Sequence, residues 1–274
     1  MSSRPRLLFV TDLGYAARGR RYGDEDVFLT SRLREWFTLA LCHPLDAAEL
    51  MGDHDAVVVR NSGPVLHYAR EYARFRERAL REGVRVYNPL TGRGDMAGKG
   101  YLTELTASGH AVIPTVERRA DLGRLPEVAE YVVKPKAGAD SIGLEFVGRE
   151  ELSARAWEEV LVQPRIDFRY EVSFYFVDED FHYALYAPDP ERRWELAPYP
   201  ASEADVAFAR TFVRWNTLGS GIQRVDACRT REGELLLVEL EDLNPYLSLE
   251  LVPEGTREAF VRGMARSLRR FLAG

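Results

Sequence analysis

The sequence predicts an α/β amino-terminal domain followed by an α+β region that divides into two parts. Three observations carry this. Short apolar runs alternate with longer amphipathic runs over the first ninety residues, as in βαβ units. Two later stretches of paired alternating runs close around turns at Asp178-Glu-Asp180 and Arg231-Glu-Gly233, the pattern of antiparallel hairpins. A turn-rich stretch, Asn88-Pro-Leu-Thr-Gly-Arg-Gly-Asp95, separates the two regimes.

Each element follows from its local pattern. Residues 7–10 read as a buried strand, 25–37 as a helix, and 39–42 and 56–60 as further strands. A long helix over 65–82 and a strand over 84–87 complete a small, mostly parallel sheet. Its natural binding edge is the carboxyl end of the strands, where Asp12, Gly14 and Arg60 fall. A helix is expected over 95–108, capped by Gly109, then a short strand over 111–113. The strand 131–135 enters a glycine loop, residues 137–143, and returns over 144–147. Residues 161–166 read as another strand, and 169–176 with 181–186 as the first hairpin. A helix over 203–218 precedes the second hairpin, 223–229 with 235–240, and an amphipathic helix over 256–272 closes the chain.

Composition narrows the class of function. The chain has 274 residues, 46% of them hydrophobic, enough for a substantial core, and a net charge of −6. An acidic chain without a basic cluster is a poor nucleic-acid binder, so no nucleic-acid partner is expected. No apolar run reaches the length of a membrane span. The first residues turn polar too soon for a signal peptide, and the expectation is a cytoplasmic protein whose two thiols, Cys42 and Cys228, are reduced and buried. A homodimer is the default assembly. Lysine occurs only at Lys99, Lys134 and Lys136, each within or beside a glycine-containing stretch.

The second hairpin holds the strongest chemical signal. Arg224, Asp226 and Cys228 share one face of its first strand, and Glu239 and Glu241 share one face of its second. Val225, Ala227, Leu236, Val238 and Leu240 would then supply the buried face. Three carboxylates on one strand face repel one another unless a cation sits among them, and hard oxygen donors suit Mg²⁺ that is also held by phosphates. A solvated acidic face offset by Arg224 is the other reading, and the hairpin alone leaves both open.

A second signal is the strand 131–135, which delivers Lys134 into a loop with Gly138, Ser141 and Gly143. Glycines allow close approach to phosphate oxygens, while backbone N–H groups and the serine hydroxyl donate to them. A tight hairpin with a surface lysine is the plainer alternative. Gly98-Lys99 and the strand end at Gln163 are weaker signals. The histidines lack ligand-like spacing, and no nucleophile elbow or dinucleotide fingerprint is present.

Taken in order, these motifs resemble the ATP-grasp superfamily, in particular glutathione synthetase-like and ribosomal-protein-modifying carboxylate–amine ligases. Gly98-Lys99 with Tyr101 and Leu102 resembles the opening of their nucleotide-binding region. Val133-Lys-Pro135 with Gly138, Ser141 and Gly143 looks like their phosphate loop, and Val162-Gln163 like their adenine hinge. Arg224-Val-Asp226 followed by Glu239-Leu-Glu241 is similar to the magnesium hairpin shared with D-alanine–D-alanine ligases. The resemblance spans residues 88–272. It implies a pre-ATP-grasp α/β domain over 1–90 and two subdomains clasping ATP, over 91–160 and 161–274.

By the resemblance, Lys99, Lys134, Ser141 and Gln163 contact ATP, Asp226, Glu239 and Glu241 bind Mg²⁺, and Arg224 stabilises an acyl-phosphate stage. The family pattern is Glu-x-Asn where this chain has Glu239-Leu-Glu241, so Asn244, in Asp242-Leu-Asn244, is a second candidate for the third ligand. Tyr170 stands where a glycine is usual, which leaves the role of Glu171 open. Arg60 as a carboxylate clamp and Asn244 are the substrate-binding candidates. The arginines at 18, 20 and 21 read first as a solvated loop and second as an anion contact. The implied activity joins a small carboxylate, an amino acid or peptide, to an amine, with release of ADP and phosphate. A small-molecule kinase and a non-catalytic nucleotide-binding module stand beside it as alternatives.

Overall fold

The computed structural model describes residues 4–17, 20–60, 65–136, 143–189 and 192–274. Strand β1 (Arg6–Val10) leads through a small hairpin, β2 (Ala16–Ala17) with β3 (Arg20–Arg21), into helix α1 (Gly23–Leu33). Then come β4 (Thr38–Cys42), α2 (Ala47–Leu50), β5 (Ala56–Val59), α3 (Ala69–Glu82) and β6 (Val86–Tyr87). The longer strands form a parallel sheet in the order β4-β1-β5-β6. In β1, Leu7 and Phe9 face α1 through Leu29 and Leu33, while Leu8 and Val10 face α3 through Phe75 and Ala79. A central parallel strand is buried on both faces, which is why its sequence is an unbroken apolar run.

Helix α4 (Tyr101–Ala107) follows a single 3-10 turn at Asp95–Ala97. The helix expected over 95–108 is shorter because Gly98 sits at φ +86°, a left-handed break that no helix carries through. Similarly, residues 65–68 form a 3-10 turn ahead of α3. The strand expected over 111–113 is reduced to one bridge between Val112 and Leu237. Strands β7 (Tyr131–Pro135) and β8 (Glu145–Val147), helix α5 (Arg149–Ala154) and strand β9 (Val160–Pro164) build a three-stranded antiparallel sheet, β8-β7-β9.

The rest is a five-stranded antiparallel sheet. β10 (Phe168–Val177) and β11 (Asp180–Ala187) form the first expected hairpin, with β12 (Ala197–Pro198) at the edge. Helix α6 (Glu203–Asn216) starts on a Ser202–Asp205 capping box. β13 (Ile222–Thr230) and β14 (Leu235–Glu241) form the second hairpin, and α7 (Glu254–Ala273) ends the chain. The order is β12-β11-β10-β13-β14.

One face of this sheet packs Val172, Phe174, Phe176, Val225 and Leu240 against α4 and α6. The opposite face places Tyr175, Tyr183 and Leu185 in a core with Leu7, Phe9 and Phe260 of α7, so the first and last elements share one interior. A bulge between Asp226 and Ala227 shifts the register of β14, so Leu237 and Leu240 are its fully buried residues. The expected burial of Leu236 and Val238 is corrected accordingly: a bulge inserts one residue and reverses the alternation beyond it. Cys42 and Cys228 are free and buried, and burial pushes both thiols up to about 12. Among the described residues, no helix is long and apolar enough to cross a membrane.

Candidate active site

The polar remainder of the second sheet face carries the candidate site. Because Val172, Phe174 and Phe176 point into the α4–α6 core, Ser173 and Tyr175 point the other way, beside Arg224 and Asp226 of β13. Across the next ladder, Asp226 stands opposite Glu239 and Arg224 opposite Glu241. All four hairpin residues therefore meet on one face, side by side rather than merely in sequence.

Their charges are already matched within the chain. Arg224 donates from Nε to Asp226 Oδ1 at 3.0 Å and from Nη2 to Asp226 Oδ2 at 2.9 Å. The same Nη2 donates to Glu241 Oε1, and Nη1 to the Tyr246 carbonyl at 3.0 Å. Lys99 Nζ lies 3.0 Å from Glu239 Oε1, and Ser173 Oγ donates to Asp226 Oδ1 at 2.6 Å. These side chains are only 11% to 22% exposed, so the pairs are screened far less than surface ion pairs. Burial pushes the Glu241 carboxyl up to about 8, with Arg224 pulling against it and Asp226 and Glu239 adding to it.

Lys99 and Lys134 come from different elements yet converge here. The Lys99 backbone N–H donates to the Lys136 carbonyl at 3.1 Å, which ties the start of α4 to the end of β7. The Lys134 ammonium is held down to about 8, chiefly by burial. Glu239 works against that shift, and the neighbouring Lys99 adds to it. Gly143 follows at φ +75°, a conformation that suits glycine; Ser141 and Gly138 lie outside the described residues.

The other expected residues sit elsewhere. Gln163 is buried in β9, where its side-chain amide donates to Thr115 Oγ1 at 2.8 Å and so secures the strand end. Asn244 lies past the end of β14 and is half-buried. Arg60 departs most from expectation. It is 1% exposed, bonded through Nη2 to Glu25 and through Nε to Asp26, both at 3.2 Å, and through Nη1 to the Pro245 carbonyl at 3.0 Å. A guanidinium enclosed on all sides is no open clamp for a substrate; here it joins α1 to the segment after β14. Asp12 accepts from Tyr68 Oη and from the N–H groups of Gly14 and Tyr15 at the edge of the first sheet.

Several residues were not singled out in the sequence. Ser173 and Tyr175 were available from the alternation of β10. Arg193, which reaches Glu171 with two bonds of 2.6 and 2.7 Å, comes from a loop without periodicity. Asp242 is fully buried and accepts from the N–H groups of Gly94 and Met96 and from Asn216 Nδ2, each at 2.9 Å. It thus clamps the 92–96 turn, where a Cβ on Gly92 or Gly94 would strike its carboxylate.

Among the described residues, no group of three acid, histidine or cysteine side chains is arranged as a ready metal cage. Such a cage is not what Mg²⁺ needs: it takes one or two carboxylates and draws its other ligands from phosphate and water. The adjacent carboxylates of Asp226, Glu239 and Glu241 fit that demand by their hard oxygens and shared face.

A three-stranded antiparallel sheet supplying lysine, set against a five-stranded one supplying acids and arginine, defines the class: the chain has the ATP-grasp fold. Solved structures with this fold match it almost end to end. The D-cycloserine synthetase DcsG superposes with a TM-score of 0.76 at 24% identity, over 96% of this chain and 99% of that one. A D-alanine–D-alanine ligase from Bacillus anthracis complexed with ATP gives 0.67 at 14% identity, over 97% and 98%. The ATP-grasp ligase PsnB, complexed with a phosphomimetic variant of its minimal precursor, Mg and ADP, gives 0.62 at 16%, over 94% and 98%. At these identities the likeness is one of fold. No family model matches the sequence, and no curated protein matches it.

Proposed function

We propose that the chain is an ATP- and Mg²⁺-dependent ligase that joins a small carboxylate to an amine through an acyl phosphate. The observation that carries this reading is the meeting of Lys99 and Lys134 with Arg224, Asp226, Glu239 and Glu241. Three cations balance three carboxylates, so the site suits an anionic nucleotide that brings its own counter-cation. The structural neighbours support it: they are synthetases or ligases, one holding ATP and one holding Mg and ADP.

Lys99 and Lys134 offset phosphate charge, together with Ser141 and the loop backbone, and the strand end at Gln163 borders the adenine. Asp226, Glu239 and Glu241 are the residues that hold magnesium, with Asn244 the reserve candidate for the third position. When bound, the cation offsets negative charge on the phosphates. A substrate carboxylate oxygen bonds to the γ-phosphorus as the bond to the ADP oxygen breaks. The amine nitrogen then bonds to the acyl carbon, phosphate leaves with the C–O electron pair, and the amine releases a proton. Arg224 supplies positive charge to the acyl-phosphate stage, so catalysis is positioning and electrostatics and needs no nucleophilic side chain.

The test is ADP release across amino acids and small carboxylates, with and without amines, and with hydroxylamine to trap acyl phosphate as a hydroxamate. Acid-dependent ADP release with hydroxamate is expected, and Glu239→Gln should lower it by about a hundredfold or more while the fold persists. ATP hydrolysis indifferent to acid, or full turnover in Glu239→Gln, would overturn the reading. A stable phosphorylated acid with no amine dependence would point to phosphoryl transfer without ligation.

A further inference from the structure

A cleft of about 590 Å³ opens between the β2–β3 hairpin, α1, residues 246–250 and the start of α7. Three arginines border it, and two have carboxylate partners. Arg20 pairs with Glu250 at 3.0 Å and Arg21 with Asp24 at 2.6 Å. The nearby Glu25 carboxylate is engaged by Arg60 and by the N–H groups of Leu247 and Leu249. Arg257 is different. Its guanidinium lies 5.1 Å from the centre of the Phe28 ring, and its Nε is buried without a hydrogen-bond partner among the described residues. That atom is closed to the cleft, but Arg257 also lines it without a carboxylate partner among the described residues, and an anionic oxygen is the partner a guanidinium pairs with best.

The cleft also adjoins the candidate active site. Its wall includes Tyr246, whose ring stacks on Tyr22 with centroids 4.5 Å apart and planes 11° apart. The carbonyl of the same Tyr246 accepts from Arg224 Nη1. One peptide thus borders the cleft and touches the arginine assigned to the acyl-phosphate stage. The volume is that of a site for a ligand larger than a small amino acid. Phe28, Tyr246 and Leu249 offer an apolar bed along it.

We propose that this cleft binds the remote end of the carboxylate substrate: an elongated acid whose body lies on Phe28, Tyr246 and Leu249 and whose second, distal carboxylate meets Arg257. The proposal rests on the ligase reading and adds the substrate class to it. The probes are α,ω-dicarboxylates of increasing chain length and their monoamides. Each is measured twice, by hydroxylamine-trapped ADP release and by calorimetric binding without ATP. For the chain length that spans the cleft, the dicarboxylate should surpass its monoamide by about tenfold or more, expressed in KM, the size of one lost charge-assisted hydrogen bond. Arg257→Gln should bring the dicarboxylate down to the level of its monoamide, and Arg257→Lys should restore part of the preference.

Equal performance of dicarboxylate and monoamide at every length, or a preference that survives Arg257→Gln, overturns the proposal. The two readings fail separately. Arg257-dependent dicarboxylate binding without ADP release from any acid would refute the ligase and keep the cleft. Acid-dependent ADP release indifferent to Arg257 would refute the cleft and keep the ligase.

Discussion

Lys134 illustrates how much a single side chain depends on its surroundings. An exposed lysine titrates near 10.5, but burial, opposed by Glu239 and reinforced by Lys99, brings this one down to about 8. Between about pH 8 and 10.5 the unfolded chain holds a proton that the folded chain has released, so this group makes stability rise with pH across that window. Nucleotide phosphate favours the charged form, so binding above about pH 8 must take up the proton again. Nucleotide affinity is therefore expected to fall as pH rises from about 7 to 9, and Lys134→Arg, which stays charged, to flatten the profile. Titration of ATP by calorimetry over that range checks it; an equally steep profile in the variant would assign the effect to another group. The lysine was conspicuous in the sequence, but its partner Glu239 lies about a hundred residues further on, and only folding sets them together.

At the scale of elements, the β13–β14 hairpin was legible because alternation and a glycine turn both point to it. Its fine register was not. The bulge at Asp226/Ala227 leaves no composition signal, yet it decides that Leu237 rather than Leu236 is buried. The turn at 92–96 was recognised as irregular, but its anchor was not. Asp242 accepts two backbone N–H groups and the Asn216 amide, and these donors have no solvent to turn to. Burial, with Asp242 alongside, drives the neighbouring Asp95 carboxyl well above the usual range. Asp242→Ala is expected to destabilise the protein by about 3 kcal/mol, since it strands these buried donors together. Urea unfolding measures this, and a loss below about 1 kcal/mol would show that water replaces the carboxylate.

Arg60 belongs to the scale of the whole molecule. It reaches from the end of the first sheet to Glu25 and Asp26 of α1 and to Pro245 after β14. With side chains 2%, 2% and 0% exposed, Arg60, Glu25 and Asp26 form a charge cluster that tolerates no missing partner. Arg60→Ala is expected to lower stability by roughly 3–5 kcal/mol, because two carboxylates are left buried without their cation. A substrate clamp would behave differently, raising KM while leaving the denaturation midpoint in place. Comparing the two measurements on one variant decides between them.

What the sequence determined by itself was local: βαβ alternation, two hairpins, three lysines beside glycines and an acid-rich strand pair. These follow from periodicity and turn chemistry, which operate over a few residues. The tertiary structure alone decided which charges face each other. Lys99 meets Glu239 across 140 positions, Arg60 meets Pro245 across 185, and Arg257 meets Phe28 across most of the chain. Strand order and helix packing set those encounters, and short-range pattern carries no information about them. The same arginine type therefore serves as a buried fastener at 60, a partner of the acids at 224 and, at 257, a side chain whose Nε has no hydrogen-bond partner among the described residues.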